Sequence, residues 1–160
     1  GIRNLKLDGA KMMVRLNEKD ASCGLTLKYC ADAITDLNKY NIPVFLETIW
    51  VNEEYKIINT AEAVIKEISA ASALGNSSRN TWLKVPYCEG FGSVAASTTL
   101  PILILGGGAV GSHKPYLKEL EQALASGYNV RGALVGRNIL YPGEGNPYDA
   151  AKAVGELVHG

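Results

Sequence analysis

Lys84 is the first residue whose type and position suggest chemistry. It lies in the apolar run Thr81-Trp82-Leu83-Lys84-Val85-Pro86, which otherwise reads as a buried strand. An ammonium group is rarely buried without a partner, and burial favours the neutral amine. A neutral amine is a nucleophile that can form a Schiff base with a carbonyl compound. The structural alternative is a strand-end lysine whose charged head reaches solvent.

Other charged or glycine-rich positions accompany the predicted strands in the same way. Arg15 ends one strand, Glu47 lies towards the end of the next, and the glycine-rich stretches 106–108 and 136–137 follow two later ones. Ligands bind at the carboxyl ends of parallel strands, and glycine lets the backbone approach an anion. An anion site is therefore predicted. Tight turns, a surface arginine and a structural ion pair of the glutamate are the alternatives.

The composition describes one domain, residues 1–160, with sixteen basic and sixteen acidic side chains. This balance provides no basic face, so no nucleic-acid partner is expected. No apolar run approaches the ~20 residues of a membrane span, and residues 1–10 lack the apolar core of a signal peptide. Cys23, Cys30 and Cys88 form no CxxC pair and predict reduced thiols in the cytoplasm. Two histidines give little basis for a histidine metal site or a Ser-His-Asp triad.

Apolar strands alternate with amphipathic helices along the chain, which predicts an α/β fold with parallel strands. Two architectures fit this order: an open doubly wound sheet, or strands four to eight of a (β/α)8 barrel. A whole barrel takes ~250 residues, so 160 residues would hold only part of one. The predicted strands are 11–16, 44–50, 81–87, 100–105 and 130–135, and the predicted helices are 26–40, 60–74, 115–126 and 147–158, with a short helix considered at 89–97.

The stretch Gly106-Gly107-Gly108-Ala109-Val110-Gly111 also matches the G-x-G-x-x-G pattern of dinucleotide-binding folds. No acidic residue ends the next strand, and Arg137 at that place would suit only a cofactor with a 2′-phosphate. An NADP-binding oxidoreductase on a doubly wound sheet is therefore a second hypothesis. A catalytically silent anion-binding domain is a third.

Three segments occur in order: Thr81-Trp82-Leu83-Lys84-Val85-Pro86, Leu100-Pro101-Ile102-Leu103-Ile104-Leu105-Gly106-Gly107 and Gly136-Arg137-Asn138-Ile139-Leu140-Tyr141-Pro142. Together they resemble class I, Schiff-base aldolases of the deoxyribose-phosphate and tagatose-bisphosphate aldolase superfamily. Within it, they are most similar to an aldolase-like branch linked to inositol and related sugar catabolism. The resemblance runs from Lys11 to the C-terminus and covers about the second half of the family's barrel.

The resemblance implies a lyase that cleaves or forms a carbon–carbon bond of a phosphorylated sugar, without a metal or organic cofactor. Lys84 would be the Schiff-base lysine of barrel strand six, and Glu47 a proton-transfer residue on strand five. The remaining implied site residues bind phosphate or line the site: Arg15, Gly107, Gly108, Gly136 and Arg137. The first three barrel strands are absent from the sequence. The resemblance therefore also implies a homo-oligomer, or a chain or segment that supplies those strands.

Overall fold

The computed structural model describes residue 4, residues 6–108 and residues 111–160. Within these residues, five strands form a single sheet, and six helices connect or follow them. The strands are β1 (Ala10–Leu16), β2 (Val44–Trp50), β3 (Thr81–Val85), β4 (Ile102–Leu105) and β5 (Val130–Leu134). The helices are α1 (Cys23–Asn38), α2 (Ala61–Ser72), α3 (Phe91–Ala96), α4 (Lys114–Leu124), α5 (Arg137–Leu140) and α6 (Pro147–His159).

The strand order identifies the architecture. Every neighbouring pair of strands is parallel, and the order in the sheet is β1-β2-β3-β4-β5. A doubly wound sheet reverses its strand order at a switch point, whereas a barrel places each new strand beside the last. The sheet is therefore part of a (β/α)8 barrel, and the doubly wound alternative is wrong. Ala109 and Val110 of the G-x-G-x-x-G stretch lie outside the described residues, as do residues 1–3 and 5.

The longer helices begin where their sequences carry capping residues. The Thr60 hydroxyl is the N-cap of α2 and accepts a hydrogen bond of 3.2 Å from the backbone N–H of Ala63. The Asn146 side chain does the same for α6, and Pro115 occupies the first turn of α4. The short helix α5 was not predicted, because Gly136-Arg137-Asn138 was interpreted as an anion-binding loop after the last strand.

The helices pack their apolar stripes against one face of the sheet. The fully buried side chains of this core include Ile34, Ile68 and Leu120 from helices and Val14, Leu46, Leu83 and Ile104 from strands. Side chains alternate between the two faces of a strand, so the intervening residues project to the opposite face. That opposite face would be the barrel interior. In the described part of the chain, no helix is long and apolar enough to span a membrane.

Candidate active site

The alternation along β1 shows how the inner face is built. Val14 and Leu16 are buried against the helices, whereas Lys11, Met13 and Arg15 are exposed on the other face. Residues paired in register across a parallel sheet point to the same side. The pairs that extend this inner face are Met13 with Glu47, Arg15 with Ile49, Lys84 with Leu103, and Leu105 with Leu134.

The inner face and the loops after the strands enclose a cavity of about 340 Å³. The structure brings all of the sequence-predicted site residues to this cavity: Arg15, Glu47, Lys84, Gly107, Gly108, Gly136 and Arg137. Glu47 lies at the middle of β2 rather than towards its end, which corrects its predicted position. Lys84 lies one residue before the end of β3, as expected.

Glu47 binds two lysines through a single oxygen. Its Oε2 lies 2.9 Å from Nζ of Lys84 and 2.9 Å from Nζ of Lys11. The side chains of Glu47 and Lys84 are 9% and 13% exposed, and that of Lys11 is 43% exposed. Charge-assisted hydrogen bonds of this kind are strong where solvent is limited. The lysine amine is therefore held in place inside the cavity with a proton acceptor in direct contact.

The two lysines set the protonation state of the glutamate. Burial is the largest single influence and acts to raise the pKa of the Glu47 carboxyl. Hydrogen bonds and charges from Lys11 and Lys84 together outweigh burial and hold this pKa below its ordinary value. Glu47 is consequently an anion at neutral pH. It keeps Lys11 as a counterion if Lys84 gives up its proton to react.

Two guanidinium groups add positive charge to the cavity. Arg15 projects from β1, at one edge of the sheet, and Arg137 begins α5 just after β5, the strand at the other edge. Among the described residues, neither side chain has a hydrogen-bond or ion-pair partner. With Lys84, the cavity is lined by three cations against the single carboxylate of Glu47. The excess positive charge suits an anionic ligand.

The glycines beside Arg137 leave open space along the cavity. An added Cβ at Gly107, Gly108 or Gly136 would meet no atom of the described residues within 4 Å, apart from those of its chain neighbours. Packing within the protein therefore does not require glycine at these places, although Gly107 has a φ of +63° that favours it. The free space permits the backbone to approach a ligand closely. Within the described chain, no group of three or more His, Cys, Asp or Glu side chains is arranged to bind a metal ion.

Lys11 is the charged residue that the sequence interpretation missed. Its position was within the first predicted strand, but only Arg15 was assigned to the site. The period of two along a strand contained the missing signal, because Lys11, Met13 and Arg15 must share one face. Several apolar residues that line the cavity were also not predicted: Met13, Ile49, Ile57, Pro86, Leu105 and Leu134.

Comparison with known proteins gives the family. The sequence profile described as Cgl0159-like matches residues 1–156. The chain belongs to the Cgl0159-like family. It is similar to the crystal structure of Cgl0159 from Corynebacterium glutamicum, with a TM-score of 0.89 and 36% sequence identity. That similarity covers 99% of this chain and 54% of the other, so this member of the Cgl0159-like family spans about half the length of its relative.

Two further proteins are similar to this chain, one in sequence and one in fold. A segment of 78 residues is 38% identical to 2-amino-3,7-dideoxy-D-threo-hept-6-ulosonate synthase 1 of Archaeoglobus fulgidus, covering 49% of this chain and 28% of the synthase. The chain also superimposes on an archaeal fructose-1,6-bisphosphate aldolase whose catalytic lysine is covalently bound to the carbinolamine intermediate. That match has a TM-score of 0.82 at 21% identity and covers 99% of this chain and 61% of the aldolase. It confirms the prediction of a partial barrel.

Proposed function

We propose that this chain carries the Schiff-base part of a class I aldolase site, a lyase that cleaves or forms a carbon–carbon bond of a phosphorylated sugar. The observation that carries the proposal is the Lys84 amine, bound at 2.9 Å to the Glu47 carboxylate inside a cationic cavity. The shared fold supports it, because one structure of that fold is an aldolase whose catalytic lysine is covalently modified. The sequence similarity to the synthase over 78 residues supports the proposal as well.

Imine formation is the first step of the proposed reaction. Lys84 passes one proton to Glu47 or to solvent, and its neutral amine forms a C–N bond with the substrate carbonyl carbon. The carbonyl oxygen takes up a proton, which gives a carbinolamine. Loss of that oxygen as water leaves a protonated imine on Lys84. Glu47 is placed to accept the first proton and return it during dehydration, because its Oε2 contacts Nζ directly.

Carbon–carbon cleavage follows from the positive imine. A base removes the proton of the hydroxyl next to the bond that breaks, and the hydroxyl carbon leaves as an aldehyde. The bonding electrons move into the imine and form an enamine. Protonation of the enamine carbon and hydrolysis of the imine then release the second product and restore Lys84. Glu47, or a water molecule that it orients, moves protons in these steps.

The glycine loops hold the phosphate in this proposal. Gly107, Gly108 and Gly136 leave room for an anion beside the backbone, and Arg137 offers a forked donor. Arg15 supplies a second cationic side chain across the cavity. No metal or organic cofactor is required by this chemistry. The cytoplasmic location and the link to inositol or related sugar catabolism remain predictions from the sequence, as does the homo-oligomer, chain or segment that completes the barrel.

Borohydride trapping tests the proposal. The intact protein is incubated with dihydroxyacetone phosphate, the imine is reduced, and the modified peptide is identified by mass spectrometry. We expect a stable secondary amine on Lys84. Lys84→Arg keeps a cation beside Glu47 but provides no reactive amine, so both the adduct and carbon–carbon cleavage should be lost.

Lys152→Arg is the matched control, because Lys152 lies on the outer helix α6 and pairs only with Glu156 among the described residues. This variant should trap the ketone as the unmodified protein does. Absence of an adduct from Lys84 in a protein that still binds inorganic phosphate would overturn the lyase proposal. The chain would then be the catalytically silent anion-binding domain of the third hypothesis.

A further inference from the structure

Asn138 links the two glycine loops that line the cavity. It lies on α5, is only 4% exposed, and donates a hydrogen bond from Nδ2 to the backbone carbonyl of Gly106. Its neighbours Gly136 and Arg137 line the cavity on one side, and the loop that begins at Gly106 lines it on the other. The side chain itself is not part of the cavity lining. Any effect of Asn138 on the cavity therefore passes through the loops that it joins.

The same two loops are joined a second time farther along. Ser112 and Gly143 form an antiparallel bridge. Gly143 has a φ of +75°, and an added Cβ there would lie 1.7 Å from the carbonyl oxygen of Gly111. No side chain fits at that contact. The loops are consequently fixed to each other before and after the cavity-lining residues Gly107 and Gly108.

The hydrogen bond from Asn138 also fixes the direction of a particular backbone amide. In a trans peptide unit the carbonyl oxygen and the next N–H point in opposite directions. Holding the Gly106 oxygen on Asn138 therefore directs the N–H of Gly107 away from Asn138. No other described residue accepts a hydrogen bond from this N–H. It remains available to a ligand in the adjacent space.

We propose that Asn138 is a positioning residue for anion binding, because it orients the Gly106–Gly107 peptide and holds the Gly106 loop against Gly136 and Arg137. The inference rests on the anion site of the proposed function. It does not depend on Schiff-base chemistry at Lys84. The ligand group concerned is a phosphate monoester or free inorganic phosphate.

Calorimetric titration of the intact protein with inorganic phosphate is the direct test. Asn138→Ala removes the donor to the Gly106 carbonyl and should weaken phosphate binding about tenfold. If that variant does not fold, Asn138→Ser, which has a shorter side chain with a hydroxyl in place of the carboxamide, replaces it in the comparison. Imine trapping should depend on the phosphate group. The substrate concentration that gives half-maximal trapping should rise for dihydroxyacetone phosphate and stay unchanged for dihydroxyacetone.

Asn129 provides a matched control at the other end of the sheet. It is also 4% exposed, and its Nδ2 donates to the carbonyls of Ala95, Thr98 and Leu100. Asn129→Ala should lower the melting temperature without weakening phosphate binding. Equal effects of the two substitutions on phosphate binding, or no phosphate binding by the unmodified protein, would overturn the proposal. If phosphate binds and depends on Asn138 but no imine forms on Lys84, the lyase proposal fails and this inference stands.

Discussion

At the scale of single residues, Glu47 determines how the charges of the cavity are balanced. Both of its lysine contacts use Oε2, although they come from different strands, Lys11 on β1 and Lys84 on β3. Removing one partner of a buried ion pair leaves the remaining charge poorly compensated. In the proposed reaction, a second lysine would reduce that cost when Lys84 forms a covalent intermediate. Lys11 would thus affect the reaction without contacting the carbonyl carbon.

Lys11→Met should slow the proposed reaction about tenfold, because it removes a charge-assisted hydrogen bond from Glu47. That hydrogen bond is one of the influences that lower the Glu47 pKa, so this pKa should rise in the variant. The acid limb of the rate profile should therefore move to higher pH. Lys28→Met removes an exposed lysine that pairs with Asp32 on α1 and should change neither quantity. Identical rate profiles for the Lys11 variant and the unmodified protein would contradict the role of Lys11.

Glu67 is a second acid with an altered protonation equilibrium, but it lies in the core rather than the cavity. Glu67 is fully buried on α2, and its Oε1 accepts a hydrogen bond from the backbone N–H of Trp50. Burial raises the pKa of Glu67 to about 7 from an ordinary value of 4.5, while the Trp50 N–H acts in the lowering direction. Between about pH 4.5 and pH 7, Glu67 is therefore protonated in the folded protein and ionised in the unfolded chain.

The stability contribution of protonated Glu67 is full below about pH 4.5 and is lost as the pH rises towards about 7. The loss should amount to about 3 kcal/mol. Glu67→Gln remains neutral and can still accept the Trp50 N–H, so it should remove this part of the pH dependence. Urea unfolding at pH 5 and pH 8 measures the difference. Glu62→Gln, on the exposed side of the same helix, should leave the pH dependence unchanged. Parallel pH dependences for the unmodified protein and both variants would contradict the assignment to Glu67.

At the scale of elements, replacing either of two glycines by alanine should change the stability of the fold, but in opposite directions. Gly75 follows α2 with a φ of +80°, and an added Cβ would lie 2.5 Å from Cγ2 of the buried Ile34. Gly75→Ala should therefore destabilise the fold by about 2–4 kcal/mol. Gly155 lies inside α6, where an added Cβ meets nothing within 4 Å, so Gly155→Ala should stabilise by about 0.5–1 kcal/mol. Denaturant unfolding of both variants checks the sign, and equal shifts would contradict the packing at Gly75.

Elements with regular apolar periodicity could be predicted from the sequence, and contacts between elements could not. The bounds of β2 agree with the prediction because Pro43 precedes a mostly apolar segment that continues to Trp50. The glycine loops and Lys84 were placed at the correct strand ends for the same reason. The shared oxygen of Glu47 was not predictable, because it depends on strand register. The role proposed for Asn138 was missed because α5 is too short to show a helical period.

At the scale of the whole molecule, the sheet ends in two open edges. Within the described residues, no strand pairs with the outer edge of β1 or of β5. Unpaired strand edges promote association with other strands. Met13 and Ile57 are also about half exposed on the cavity side. Completion of the barrel by another segment or another chain would cover these groups.

We predict that the 160-residue chain, prepared by itself, associates as its concentration rises. Sedimentation velocity over a range of concentrations measures this. Addition of the remaining part of the Corynebacterium glutamicum relative, prepared separately, should replace self-association by a defined complex. A monomer at every concentration, with no complex, would show that the open edges need no partner.

The sequential strand order has a consequence for the size of the molecule that the cavity can hold. Arg15 and Arg137 line one cavity although Arg15 lies on the first strand of the sheet and Arg137 follows the last. Four strand spacings in a flat sheet would separate those strands by about 19 Å. The curl of the sheet is what brings both cations within reach of one small molecule. The length of ligand that the cavity can hold therefore depends on the curvature of the backbone, and we expect substitutions in the outer helices that change this curvature to alter it.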